Sequence, residues 1–130
     1  MTAGEWMDLT VLERRKYNDL TEALDLTRQL GESMDRSDQV AVRMIIAMRQ
    51  DPLLRLEETE KTLKDRRRTL SEEDQERVKA LLKGEEPRSS QERTFLEQAG
   101  KTRRLLERVV ELDRRISLRM AGGQSFYKKK

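Results

Sequence analysis

Residues 38–70 read DQVAVRMIIAMRQDPLLRLEETEKTLKDRRRTL, and whether this stretch makes one helix or two decides the fold. Val42, Ile45, Arg49, Pro52, Leu56, Glu60, Leu63, Arg67 and Leu70 step by three or four throughout. Steps of that size keep side chains on one face of an α-helix. Pro52 is the difficulty, because a proline inside a helix loses the bond to the carbonyl four residues back, here Met48, and clashes with it, at about 3 kcal/mol. The apolar phase survives across it, so the reading places one helix over 38–70 with a kink, a hinge, at Pro52. The rival is a break, with Asp51 as cap and Pro52 as the first residue of a new helix.

Working outward, this stretch is expected to be the spine on which the other segments pack. Before it, Trp6, Leu9, Leu12, Tyr17, Leu20, Leu24, Leu30 and Met34 line one face of a helix over about 5–33, with Met1 to Gly4 loose. Trp6 reads as a cap on the end of the core, or else as a partner contact. Gly31 and the run Asp35 to Asp38 mark the first break, with Asp or Ser able to cap the second helix. After it, Ser71 with Glu72, Glu73 and Asp74 looks like the start of a short helix over 71–83, carrying Val78, Leu81 and Leu82. Gly84 to Ser90, with Pro87, forms a loop. Ser89 to Glu92 matches the S-x-x-E capping pattern, opening a last helix over 90–121 with Phe95, Ala99, Leu105, Leu106, Val109, Leu112, Ile116 and Met120. Gly122 and Gly123 are expected to stop it, leaving 122–130 as a flexible tail with Phe126, Tyr127 and three lysines.

The expected fold is all-α: an elongated helical hairpin or small antiparallel bundle of three to four helices with coiled-coil character, one domain over 1–121. Composition agrees. The 130-residue chain is 41% charged and 35% hydrophobic, against about 25% charged in ordinary globular proteins. A thick multilayer core is not expected. The 28 basic and 25 acidic side chains leave a formal charge of +3, equal to that of Lys128 to Lys130 alone. The helical body is a balanced polyampholyte.

Cysteine and histidine are both absent. Disulfides, Cys-His and Ser-His-Asp nucleophilic machinery and zinc sites built on those residues are thereby excluded, and no catalytic residue, metal or cofactor is expected. No apolar run approaches the roughly 18 residues of a membrane span, and no secretory signal is evident at Met1, so the expectation is a cytoplasmic protein. Basic clusters occur at Arg14 to Lys16, Arg66 to Arg68, Arg103 with Arg104, and Arg114 with Arg115, but Glu13, Asp65, Glu107 and Asp113 lie within a turn of them. Adjacent arginines also point about 100° apart on a helix. A nucleic-acid partner is therefore disfavoured.

The apolar surplus is more informative. From Val40 to Met48 every residue but Arg43 is apolar, too wide a face for one seam, so this segment is expected to meet a third element. Doubled positions at Leu105 with Leu106 and Val109 with Val110 can likewise serve two faces of one helix.

The order of features resembles the FlgN type of flagellar export chaperone. The residues that carry the resemblance are the acidic turn at Gly31 to Asp38, the paired leucines Leu53 and Leu54 ahead of Leu56 and Leu63, the run Arg103-Arg104-Leu105-Leu106-Glu107, and the tail with Gly122, Gly123, Phe126 and Tyr127. The triple-lysine ending and Pro52 depart from that pattern. What the resemblance implies is a binding protein that holds amphipathic C-terminal helices of hook-filament junction proteins before secretion. Its partner-binding face would be Leu105, Leu106, Val109, Leu112, Ile116 and Met120, closed over by Phe126 and Tyr127. The alternative is a coiled-coil protein that spends its apolar surplus on self-association into a homodimer or larger assembly.

Overall fold

A computed structural model describes the backbone of residues 1–128 and the side chains of residues 1–122. Among the described residues four helices succeed one another: α1 (Ala3–Asp35), α2 (Gln39–Arg68), α3 (Glu72–Leu82) and α4 (Ser90–Lys128). No strand occurs among the described residues. The chain is a small all-α bundle, as its composition requires.

Each helix begins where a side chain can satisfy the first free N–H groups. Thr2 and Glu5 form a reciprocal capping box, Thr2 Oγ1 accepting from Glu5 N at 3.0 Å and Glu5 accepting from Thr2 N at 2.9 Å. That box starts α1 ahead of the expected Glu5, in a segment read as loose. Asp38 caps α2, Ser71 caps α3 and Ser89 accepts from Glu92 N at 3.1 Å. The first break falls later than Gly31: α1 runs through it and ends in a turn closed by Ser37 N to Met34 O (3.0 Å) and Asp38 N to Ser33 O (2.9 Å). Ser37 holds the left-handed conformation this closure needs, at φ 57°. Gly31 has a different task, since a Cβ there would sit 3.3 Å from Ile116 Cδ1. It lets α4 approach closely.

Pro52 lies inside α2, which continues to Arg68. The alternative of a separate helix starting at Pro52 does not occur. At the other end of the chain, α4 passes the expected stop at Gly122 and Gly123 and reaches Lys128.

The topology is fixed by pairs along the rod. Trp6 meets Phe95 (ring centroids 5.4 Å apart), Thr102 donates to Glu13 O (3.1 Å) and Arg119 bonds Asp35 (2.7 Å), so α1 and α4 run parallel. Arg66 bonds Asp8 (2.7 Å) and Arg55 bonds Asp19 (3.2 Å), so α2 is antiparallel to α1. The short α3 sits in the α2–α4 connection, where Val78 and Leu81 join Trp6, Leu9, Leu63 and Phe95 in a lower core. A middle cluster of Leu20, Leu24, Leu105 and Val109 and an upper one of Leu26, Leu30, Ile45 and Ile116 complete the core.

The spine is α1, not the 38–70 stretch. Eleven residues of α1 are buried and only Ile45, Pro52 and Leu63 of α2. The difference lies in small residues that a count of apolar side chains passes over. Thr10, Thr27 and Ser33 are buried, each donating its hydroxyl to the carbonyl one turn back, Trp6 O (2.8 Å), Ala23 O (2.7 Å) and Gln29 O (2.9 Å). A hydroxyl satisfied this way carries little burial penalty. With Ala23 these residues let α1 be flanked on two sides.

Candidate partner-binding surface

The face read as partner-binding on α4 is occupied within the bundle. Leu105 and Val109 are buried in the middle cluster and Ile116 in the upper one, while Leu106, Leu112 and Met120 are partly buried against them. Periodicity identified an apolar face correctly but could not tell an internal seam from an external one. The side chains of Phe126 and Tyr127 lie outside the described residues.

The segment Val40 to Met48 is covered on one side only. Ile45 is buried, with Ala41, Val42 and Ile46 packed against the upper cluster. Val40, Met44 and Met48 remain 60%, 60% and 51% exposed, a stripe with one helical turn between successive members. Ala47, Asp51 and Leu54 extend the exposed face downward. Two methionines in such a stripe supply an apolar surface that adapts to the shape of what covers it.

Polar groups fix the register beside it. Arg49 reaches from α2 to Asp113 of α4 at 2.6 Å, with its own Nε buried and without a partner. Arg55 pairs with both Asp19 and Glu22 of α1. Between the lower and middle clusters, Glu13, Lys16, Glu60 and Arg67 form a half-buried charged layer: all four line a concavity of about 250 Å³, and Glu13 and Lys16 also line a second of about 380 Å³ against Leu81, Leu96 and Leu106. Burial pushes the Glu13 carboxyl above the usual carboxylate range, against the pull of Lys16, Thr102 and Arg67. In the first turn of α4 burial acts on Glu92 in the same sense, but hydrogen bonds from Arg77 (Nε, 3.1 Å) and Arg88 N (3.2 Å) outweigh it and hold that carboxyl below the usual range.

The described residues contain no group of three or more acids that could hold a metal ion. No described helix is long and apolar enough to cross a membrane. What the arrangement offers chemically is apolar contact on α2 and charge elsewhere. No family model, curated protein or solved structure matches the chain.

Proposed function

We propose that this chain is a protein-binding helical module that holds an amphipathic helix of a partner, the role of the FlgN-type export chaperones that its sequence resembles. In that role the partner is a hook-filament junction protein awaiting secretion in the cytoplasm, and its C-terminal helix is the bound segment. The observation that carries the reading is the uncovered stripe Val40, Met44 and Met48 on α2. A partner helix with apolar residues at matching three- and four-residue spacing lays its own unsatisfied face on such a stripe. Pro52, one turn below Met48, lets the upper part of α2 adjust to the bound helix.

Titration of a labelled junction-protein C-terminal helix with the purified chain, read by fluorescence anisotropy, tests this. Met44→Glu with Met48→Glu is expected to weaken binding at least about tenfold, because each substitution places a charge where apolar surface was removed from water. No binding by the unaltered chain, or binding indifferent to both substitutions, refutes it. Pro52→Ala in the same titration checks the hinge: unchanged affinity and rates remove it.

Self-association is the second reading, and one observation favours it. Val40, Met44, Ala47, Asp51 and Leu54 are all exposed and recur at the alternating four-three spacing of a coiled-coil seam. Light scattering separates the two: a dimer broken by the Met44 and Met48 substitutions belongs to this reading, a monomer to the first.

A further inference from the structure

The outer face of α2 is complementary to itself when turned end for end. Half of the large apolar residues left exposed among the described residues lie on it, namely Val40, Met44, Met48 and Leu54. From Leu54 the seam continues through Glu58, Lys61, Asp65 and Arg68 at the same alternating four-three step, every member exposed. Apolar contact is thus concentrated in the upper half of the seam and charge in the lower. Arg43 and Glu57 flank it on one edge, fourteen positions apart. Both are exposed, and neither forms an ion pair among the described residues.

A parallel pair of α2 helices sets each seam residue against its own copy. Val40, Met44, Ala47 and Leu54 then stack, but Asp51, Glu58, Lys61, Asp65 and Arg68 each face a like charge, which is destabilising. Sliding one helix by a heptad does not relieve this, since Asp51 then meets Glu58, Glu58 meets Asp65 and Lys61 meets Arg68. An antiparallel pair crossing at Arg49 escapes it. There Met44 of each copy faces Leu54 of the other, and Ala47 faces Asp51, its small side chain leaving the carboxylate a path to water. Met48 meets Met48 on one edge and Gln50 meets Gln50 on the other, while Arg43 faces Glu57 at both ends. The antiparallel registers one heptad away are worse. One sets Arg43 against Lys64 and Met44 against Lys61; the other sets Val40 against Asp51 and leaves Leu54 beyond the start of the opposing helix.

Resting on the self-association reading, we infer that a second copy of this chain covers the α2 stripe, antiparallel and crossing at Arg49. The pair is isologous, so each contact off the axis is made twice. The two helices overlap from Gln39 to Thr59, roughly 30 Å. Lys61, Asp65 and Arg68 project past the opposing N-terminus and meet no like charge. Charge complementarity is what selects a second copy as the occupant: the free arginine and the free glutamate stand where the turned copy presents the opposite charge.

The chain has no cysteine, so single introduced thiols report the orientation. In the antiparallel pair the two copies of residue 50 lie about 3 Å apart along the axis and those of residue 58 about 27 Å apart. A short bismaleimide should therefore link Gln50→Cys into a covalent dimer and leave Glu58→Cys unlinked; a parallel pair gives the reverse. Sedimentation equilibrium reads the charge contacts. Arg43→Glu or Glu57→Arg alone should raise the dimer dissociation constant at least about tenfold. An equimolar mixture of the two variants should recover it, because in the mixed pair both end contacts again join opposite charges. A chain that stays monomeric at about 1 mM overturns the self-association reading and this pairing with it. A dimer that links through Glu58→Cys, or whose two charge variants fail to rescue each other, keeps that reading and overturns the antiparallel pairing.

Discussion

Gly31 offers a direct measurement of how closely α1 and α4 approach. Glycine in a helix interior is about 0.8–1.0 kcal/mol less favourable than alanine, and both Gly31 in α1 and Gly100 in α4 lie inside helices. A Cβ at Gly100 would meet only the end of the Arg104 side chain, Nη1 at 3.3 Å, a flexible group on the surface. Gly100→Ala should therefore stabilise by nearly the full ~1 kcal/mol. A Cβ at Gly31 would meet Ile116 Cδ1, also at 3.3 Å, but that methyl belongs to a side chain only 3% exposed and packed among Leu26, Leu30 and Ile45. To give a few tenths of an ångström, Ile116 must leave its rotamer, which costs roughly 0.5–1.5 kcal/mol. Gly31→Ala should come out near neutral.

A double-mutant cycle isolates the cause. Ile116→Val alone should cost about 0.5–1.5 kcal/mol, but by removing the offending methyl it should restore the gain from alanine at 31, giving a favourable coupling of at least about 0.5 kcal/mol. The same cycle with Gly100→Ala should be additive. Urea unfolding followed by circular dichroism reads every variant against the parent. If Gly31→Ala stabilises as much as Gly100→Ala and adds simply to Ile116→Val, then Ile116 does not lie over Gly31 and the α1–α4 register is wrong.

Two further outcomes test the lower half of the bundle. Leu81, fully buried beside Val78 in the lower cluster, is expected to cost about 2–5 kcal/mol on Leu81→Ala; hydrogen exchange should show the amides of α3 losing protection first, and a cost under about 1 kcal/mol would mean that α3 is not docked. Glu13→Gln tests the charged layer. A carboxyl raised by burial makes folding less favourable as pH rises from its unfolded value through its folded one, so the variant should melt above the parent at neutral pH and converge with it in acid. A gap of the same size at both pH values would show that Glu13 is not titrating in a buried site.

The fold was legible wherever an apolar face was complete and a cap was spelled out. The ladder of α1, the serine caps of α3 and α4 and the unbroken phase through Pro52 all derive from residue type and spacing. Three things were not legible, for separate reasons. The capping box at Thr2 and Glu5 has its pattern in the sequence but lies in a segment with little else to suggest order. The identity of the spine was hidden because Thr10, Thr27 and Ser33 look polar until their hydroxyls are seen to close on their own helix. The use of the α4 face could not be read because Leu105, Val109 and Ile116 would show the same periodicity against a partner as against α1.

This division bears on where a partner can bind. To dock on Leu105, Val109 and Ile116 it must first strip α1 and α2 from them, and re-exposing three buried aliphatic side chains costs roughly 5–9 kcal/mol. That is comparable with the whole stability of a small domain, about 5–15 kcal/mol. The partner's contacts would have to replace the loss before contributing any affinity. Docking on Val40, Met44 and Met48 carries no such cost, because more than half of each side chain is already in water and the residues beneath them, Ala41, Val42 and Ile45, are already packed. Binding there leaves the core intact and adds a helix to a face that α1 and α4 do not reach. The proposed chaperone role, in which cargo must later be released, fits this arrangement, since dissociation would expose only what was exposed before. Substitutions on the α4 face should therefore unfold the chain, and substitutions on the α2 stripe should uncouple binding from folding.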